Sequence, residues 1–106
     1  MSSKRSGNSS KASVPTKLSD SAYQKRWDNL PASARQAVGA QVENLNKLNN
    51  ERYYLADKID STIKYNGHYR YIDNYLATEN KVQDAQGSID QSLRNINQGP
   101  LFSNKK

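Results

Sequence analysis

The sequence predicts an all-α protein: a long antiparallel helical hairpin of coiled-coil type, preceded by a short helix and a disordered basic N-terminal tail. Three observations predict it. Two stripes of aliphatic residues recur at helical spacing. Asn66-Gly67 breaks the pattern between them, and both residues tolerate positive φ. Pro31 and Gly99-Pro100 punctuate the outer ends.

Residues 1–17 are Ser-rich, contain Gly7, Asn8 and Pro15, and lack the apolar surface needed to offset ordering entropy; they are expected to be disordered. A helical domain is expected over 18–98. Its first element is a short helix at about 19–30, with Ser19 as N-cap and Asp20 in the first turn, where a negative charge suits the helix dipole. Tyr23, Trp27 and Leu30 fall on one face of it, and Pro31 ends it or starts the next helix.

A helix over about 33–65 follows. Ser33 and Gln36 have capping-box spacing. Val38, Val42, Leu45, Leu48, Leu55, Ile59 and Ile63 form a narrow stripe, closer to a coiled-coil seam than to a broad helix face. Arg52 occupies a gap in that stripe, and Asn44, Asn46, Asn49 and Asn50 are expected to lie mostly off it. Glu43/Lys47 and Asp60/Lys64 have the i, i+4 spacing of favourable pairs. A second helix, over about 69–97, carries Ile72, Leu76, Val82, Ile89, Leu93 and Ile96, and residues 99–106 are expected to be a disordered C-terminal tail. Asn-Gly is also a hairpin signal for strands, but the flanking residues have helical period rather than alternation.

The chain has 106 residues and a 34% apolar fraction, against ~45–50% in ordinary globular domains, which bounds it to one domain with a thin core. Such narrow seams leave part of each helix uncovered. The short helix is expected to cover some of the remainder with Tyr23 and Trp27, and a protein partner or a second copy the rest.

The net charge of +6 sits in the ends. Lys4, Arg5, Lys11 and Lys17 stand in a leader without acids, and Lys105 and Lys106 close the chain, whereas 18–104 holds ten bases and ten acids. The leader is either a solubilising segment or an electrostatic arm for phosphates or an acidic surface. Four charges without a lipid anchor or apolar wedge would bind a membrane only marginally. No stretch approaches the ~18 consecutive apolar residues of a membrane span. The basic N-terminus has no apolar run behind it, so no secretory signal is expected. With no cysteine, the expected location is intracellular (cytoplasm or nucleus) or a virion.

Catalysis is not expected. With no Cys and a single His, His68 at the turn, neither a zinc or copper site nor a nucleophile–His–acid arrangement is expected, and no cofactor is expected. No phosphate-cradling glycine loop occurs.

The distinctive local feature is aromatic. Six of the seven tyrosines lie between 53 and 75, interleaved with cations, and a hairpin folded at 66–67 brings them to one end. Tyr and Arg dominate binding hot spots, which gives the expected partner-binding set Arg52, Tyr53, Tyr54, Tyr65, His68, Arg70, Tyr71 and Tyr75. Tyr69, and Tyr65 as an alternative to binding, are expected to close the seam. The function expected is that of a non-catalytic structural or adaptor subunit, contacting partner helices through its seams and another surface through its Tyr-rich end. The alternative is a non-specific nucleic-acid-binding protein using Lys4, Arg5, Lys11 and Lys17 together with stacking at that end.

Overall fold

A computed structural model describes residues 14–15 and 17–103. A 3-10 turn, Ser21–Tyr23, leads into α1 (Gln24–Asn29), followed by α2 (Ala32–Ala37) and α3 (Gly39–Thr62). A second 3-10 turn, Ile63–Tyr65, precedes α4 (Tyr69–Asn95). The two long helices pack on each other as a hairpin, and no strand occurs among the described residues.

The turn between them is a helix C-cap built by sequence. Asn66 sits in the left-handed region at φ 60°. Its N–H donates to the Ile63 carbonyl at 3.0 Å, and the Gly67 N–H donates to the Thr62 carbonyl at 3.1 Å. These are the two bonds of a Schellman motif. The same motif ends α4 at Asn97 (φ 66°), where the Asn97 and Gln98 N–H groups donate to Arg94 and Leu93. The second helix thus ends at Asn95, four residues ahead of Gly99-Pro100.

The first long helix is not continuous. Val38 leaves helical geometry (φ −111°, ψ 10°) between α2 and α3. The break falls where a β-branched residue precedes glycine, two poor helix formers in succession. The start of α2 also differs from expectation. Pro31 is its N-cap, no side chain caps it, and the Ser33/Gln36 box does not form. Further upstream Asp20, rather than Ser19, is the N-cap, accepting from the Ala22 N–H at 3.1 Å. Ser19 instead docks on α3: its N–H donates to Asn46 Oδ1 at 2.9 Å, and its hydroxyl donates to the Asn46 carbonyl and to Asn50 Oδ1. The Arg35 guanidinium closes the α1–α2 corner by donating to the Asp28 and Leu30 carbonyls.

The core lies at the base of the hairpin, away from the turn. Leu18, Trp27, Ala34, Val38, Val42, Leu45, Val82, Ile89, Leu93, Leu101 and Phe102 form one buried cluster. Two expected chain-end boundaries are corrected by it. Within the expected tail 1–17, Val14 packs against the cluster and the Pro15 carbonyl accepts the Trp27 indole N–H at 3.1 Å. Lys4, Arg5 and Lys11 lie outside the described residues. In the expected tail 99–106, Leu101 and Phe102 are core residues, and Phe102 meets Tyr23 edge-on with ring centroids 4.9 Å apart. The reason is a buried carboxylate. Asp90 Oδ1 accepts from the Leu101 and Phe102 N–H groups at 2.7 and 3.0 Å, and Oδ2 accepts from Ser103 at 2.9 Å. Arg26 adds a bond to the Leu101 carbonyl. Residues 101–103 are therefore a strap clamped to α4.

Toward the turn the seam thins. Leu55 is buried, Leu48, Ile59 and Ile72 are half-buried, and Ile63 and Leu76 are exposed; Ile96, just past the end of α4 at the base, is exposed as well. Asn49, expected off the seam with most of its neighbours, is 1% exposed, and its Oδ1 is buried without a hydrogen-bond partner. It falls seven residues from Val42 and four from Leu45, which is core spacing. Thr78 is the buried polar residue of α4 in the same half.

Candidate protein-interaction surface at the hairpin turn

The end of α3, the 3-10 turn, the Schellman turn and the start of α4 carry most of the exposed large apolar side chains of the molecule. Ile63 is 53% exposed, Tyr65 72% and Tyr69 68%, with Tyr53 at 45% and Tyr54 at 57% farther back along α3; the other exposed large apolar residues among the described residues are Leu76 and Ile96. Isolated exposed apolar residues need no explanation, but a cluster at one end of a molecule does.

Cations lie on the tyrosine rings. The Arg52 guanidinium is 5.5 Å from the Tyr53 centroid, Lys58 Nζ is 5.5 Å from Tyr54, and Lys64 Nζ is 5.3 Å from Tyr65. Lys64 had the spacing to pair with Asp60, and its contact with Tyr65 shows where the charge goes. The His68 ring stacks at a tilt on Tyr69, 4.0 Å between centroids. These contacts hold long side chains over flat surfaces and lower the entropy lost when a partner covers them. Residues 61–72 contain Lys64, His68 and Arg70 and no acid, so the turn itself is basic.

The expected binding residues divide into two groups. Tyr53, Tyr54, Tyr65 and Arg70 are exposed at this end, and Arg52 is half-buried beside them. Tyr71 and Tyr75 are half-buried. Counting back from buried Val82 through Thr78 gives 75 and 71, so these two tyrosines sit on the inward face of α4. Tyr69, expected to close the seam, is among the most exposed residues instead, and Tyr65 is exposed with it. The helix begins at Tyr69, and its phase sends Tyr71 rather than Tyr69 inward. His68, expected at the surface, is half-buried, with Nδ1 buried and unpartnered. Ile63, expected in the seam, is exposed instead. It belongs to the exposed end because α3 gives way to the 3-10 turn there and the stripe loses its phase.

Lys17, the one described residue of the alternative nucleic-acid set, is exposed, and its carbonyl accepts from Asn46 Nδ2 at 3.0 Å. Among the described residues, no group of three or more His, Cys, Asp or Glu side chains is placed to hold a metal ion. No described helix is long and apolar enough to cross a membrane. The clefts present are shallow. One is lined by Val14, Pro15, Trp27, Asp28 and Arg35 at the base, and another by Asn44, Leu48, Lys81, Asp84 and Ala85 between the long helices. Comparison of the chain with protein-family models, with curated proteins and with solved structures gives no match.

Proposed function

We propose that this protein is a non-catalytic structural or adaptor subunit that docks on a partner protein through the turn end of its hairpin. The observation that supports this is the cluster of Tyr53, Tyr54, Ile63, Tyr65 and Tyr69, exposed together on a scaffold whose core lies at the opposite end. Aromatic side chains with few rotors, braced by cations, are what protein-contact hot spots use. The turn end is the better candidate than the seams, since the seams pack on each other at the base and are covered there by the chain's own two ends.

A photo-crosslinking amino acid placed at Tyr65 tests the proposal in extract from the source cells, with the same probe at exposed Gln91 as control. A defined protein captured from position 65, absent from position 91 and lost when Ile63→Asp is added, supports it. Crosslinks to nucleic acid, abolished by replacing Lys4, Arg5, Lys11 and Lys17 with serine, would favour the alternative. No product specific to position 65 would remove the turn end from consideration.

A further inference from the structure

The Gln41 amide donates to the Ser88 hydroxyl at 2.9 Å, which fixes the register of α3 against α4. Twelve residues toward the turn on both helices, Tyr53 and Leu76 therefore stand level. Tyr53 follows Asn46 by seven residues and Asn50 by three, so it shares the flank of α3 on which Ser19 docks. Ile72 precedes Asp90 by eighteen residues, five whole turns, and shares the flank of α4 that holds the strap. At the base this flank is covered by the chain's own two ends. Nearer the turn no described segment covers it: Leu76 is 51% exposed, Tyr53 is exposed and Ile72 is half-buried.

The border of the bare stretch is acidic. Asp57 and Asp60 follow Tyr53 at i+4 and i+7, while Asp73 and Glu79 flank Leu76 at i−3 and i+3. Residues 71–80 contain no Lys or Arg; on α3 Arg52 lies over the Tyr53 ring and Lys58 over the Tyr54 ring, so the four carboxylates outnumber the one cation set directly on this stretch. We infer that this flank is a second docking surface, and that its occupant is an amphipathic helix of a partner protein with an apolar stripe and basic edges. The stripe meets Tyr53, Ile72 and Leu76, and the edges meet the four carboxylates. Such a helix continues toward the turn the covering layer that the chain supplies at the base. Tyr53 is common to this surface and the turn-end cluster, whereas Ile72, Leu76 and the four carboxylates belong to this surface alone, so the inference does not rest on the end-on contact through Tyr65 and Tyr69.

The test uses the full chain and two synthetic probes, a leucine–lysine amphipathic helix and its leucine–glutamate counterpart, followed by fluorescence anisotropy. The lysine peptide is expected to bind, more weakly as salt rises, and the glutamate peptide is not. Leu76→Asp should weaken binding at least about tenfold, the mark of a central interface residue. Asp57→Lys, at an exposed position that leaves the fold alone, should weaken it too, whereas Tyr65→Ser should not. Equal binding of both peptides, binding of neither, or affinity unmoved by Leu76→Asp and Asp57→Lys would overturn the inference. So would a concentration-dependent dimer abolished by Leu76→Asp, which would assign the flank to a second copy.

Discussion

Replacing Asp90 by alanine removes the acceptor of three consecutive backbone N–H groups and should release the strap at 101–103. Docking the strap buries Leu101 and Phe102, a gain of about 3–6 kcal/mol. It also makes hydrogen bonds to a charged group, about 1.5–3 kcal/mol each. Against this stands the ordering of residues 99–103, about 1–2 kcal/mol each. The difference is a few kcal/mol, and Asp90→Ala should cost about 3 kcal/mol. For a domain of this size that lowers Tm by more than about 10 °C. Asp90→Asn keeps one oxygen for Leu101 and Phe102 but turns an amide donor toward the Ser103 N–H, so its cost should fall between alanine and wild type. Urea unfolding followed by far-UV circular dichroism measures each variant. The decisive comparison is with Leu101→Ala, which by itself should cost about 2–5 kcal/mol. Both changes undock the same strap, so the double variant should cost about as much as the worse single one. Additive losses, or an Asp90→Ala cost below about 1 kcal/mol, would refute the clamp.

Three further outcomes follow from named contacts. Asn49→Leu removes a buried oxygen that has no partner and should raise stability by about 1–2 kcal/mol, read as a higher urea midpoint at unchanged m. Asn66→Ala and Asn97→Ala force a Cβ without a polar side chain into the left-handed region and should each cost about 1 kcal/mol, whereas glycine at either position should be neutral or mildly stabilising. Tyr65→Ser and Tyr69→Ser, at exposed positions, should leave stability within about 0.5 kcal/mol of wild type, so any loss of partner binding in them is not a loss of fold.

The hairpin was legible because its signals are local and repeated: two helical stripes and an Asn-Gly step whose asparagine does adopt the left-handed conformation. The strap was not. Leu101 and Phe102 follow Gly99-Pro100 with no period to read, and their partner is a single aspartate on the flank of α4 eleven residues away. Asn49 is at core spacing from Val42 and Leu45, but as a polar residue it carries no hydropathy signal that marks it as buried. At the turn, composition pointed to the right end of the molecule, but the assignment of individual tyrosines required the phase of α4. Counting back from Val82 would have placed Tyr71 and Tyr75 inward and Tyr69 outward. The bare flank needed the register, which no run of sequence states; it comes from one hydrogen bond between Gln41 and Ser88.

The uneven distribution of the core bears on function. Trp27, Val38, Val42, Ile89, Leu93 and the strap hold the base together, while the half of the hairpin nearer the turn buries Leu55, a polar Asn49 and Thr78. Local opening free energies follow the density of buried apolar contacts, so the turn half should exchange its amide hydrogens well before the base does. A hairpin needs no tyrosine at its tip to close: the Schellman motif does that with backbone bonds from Asn66 and Gly67. The exposed rings of Tyr65 and Tyr69 therefore add nothing to the turn that the backbone does not already supply. Their exposure, and that of Leu76 farther along, is a cost in solubility carried by a part of the molecule that contributes little to stability. An interface explains that placement better than folding does. Binding there would also supply the apolar cover that the thin half of the seam lacks. Protection of the α3 and α4 amides on the turn side of Asn49, rising when a partner is bound while the base stays unchanged, is the signature such an arrangement should leave in hydrogen exchange.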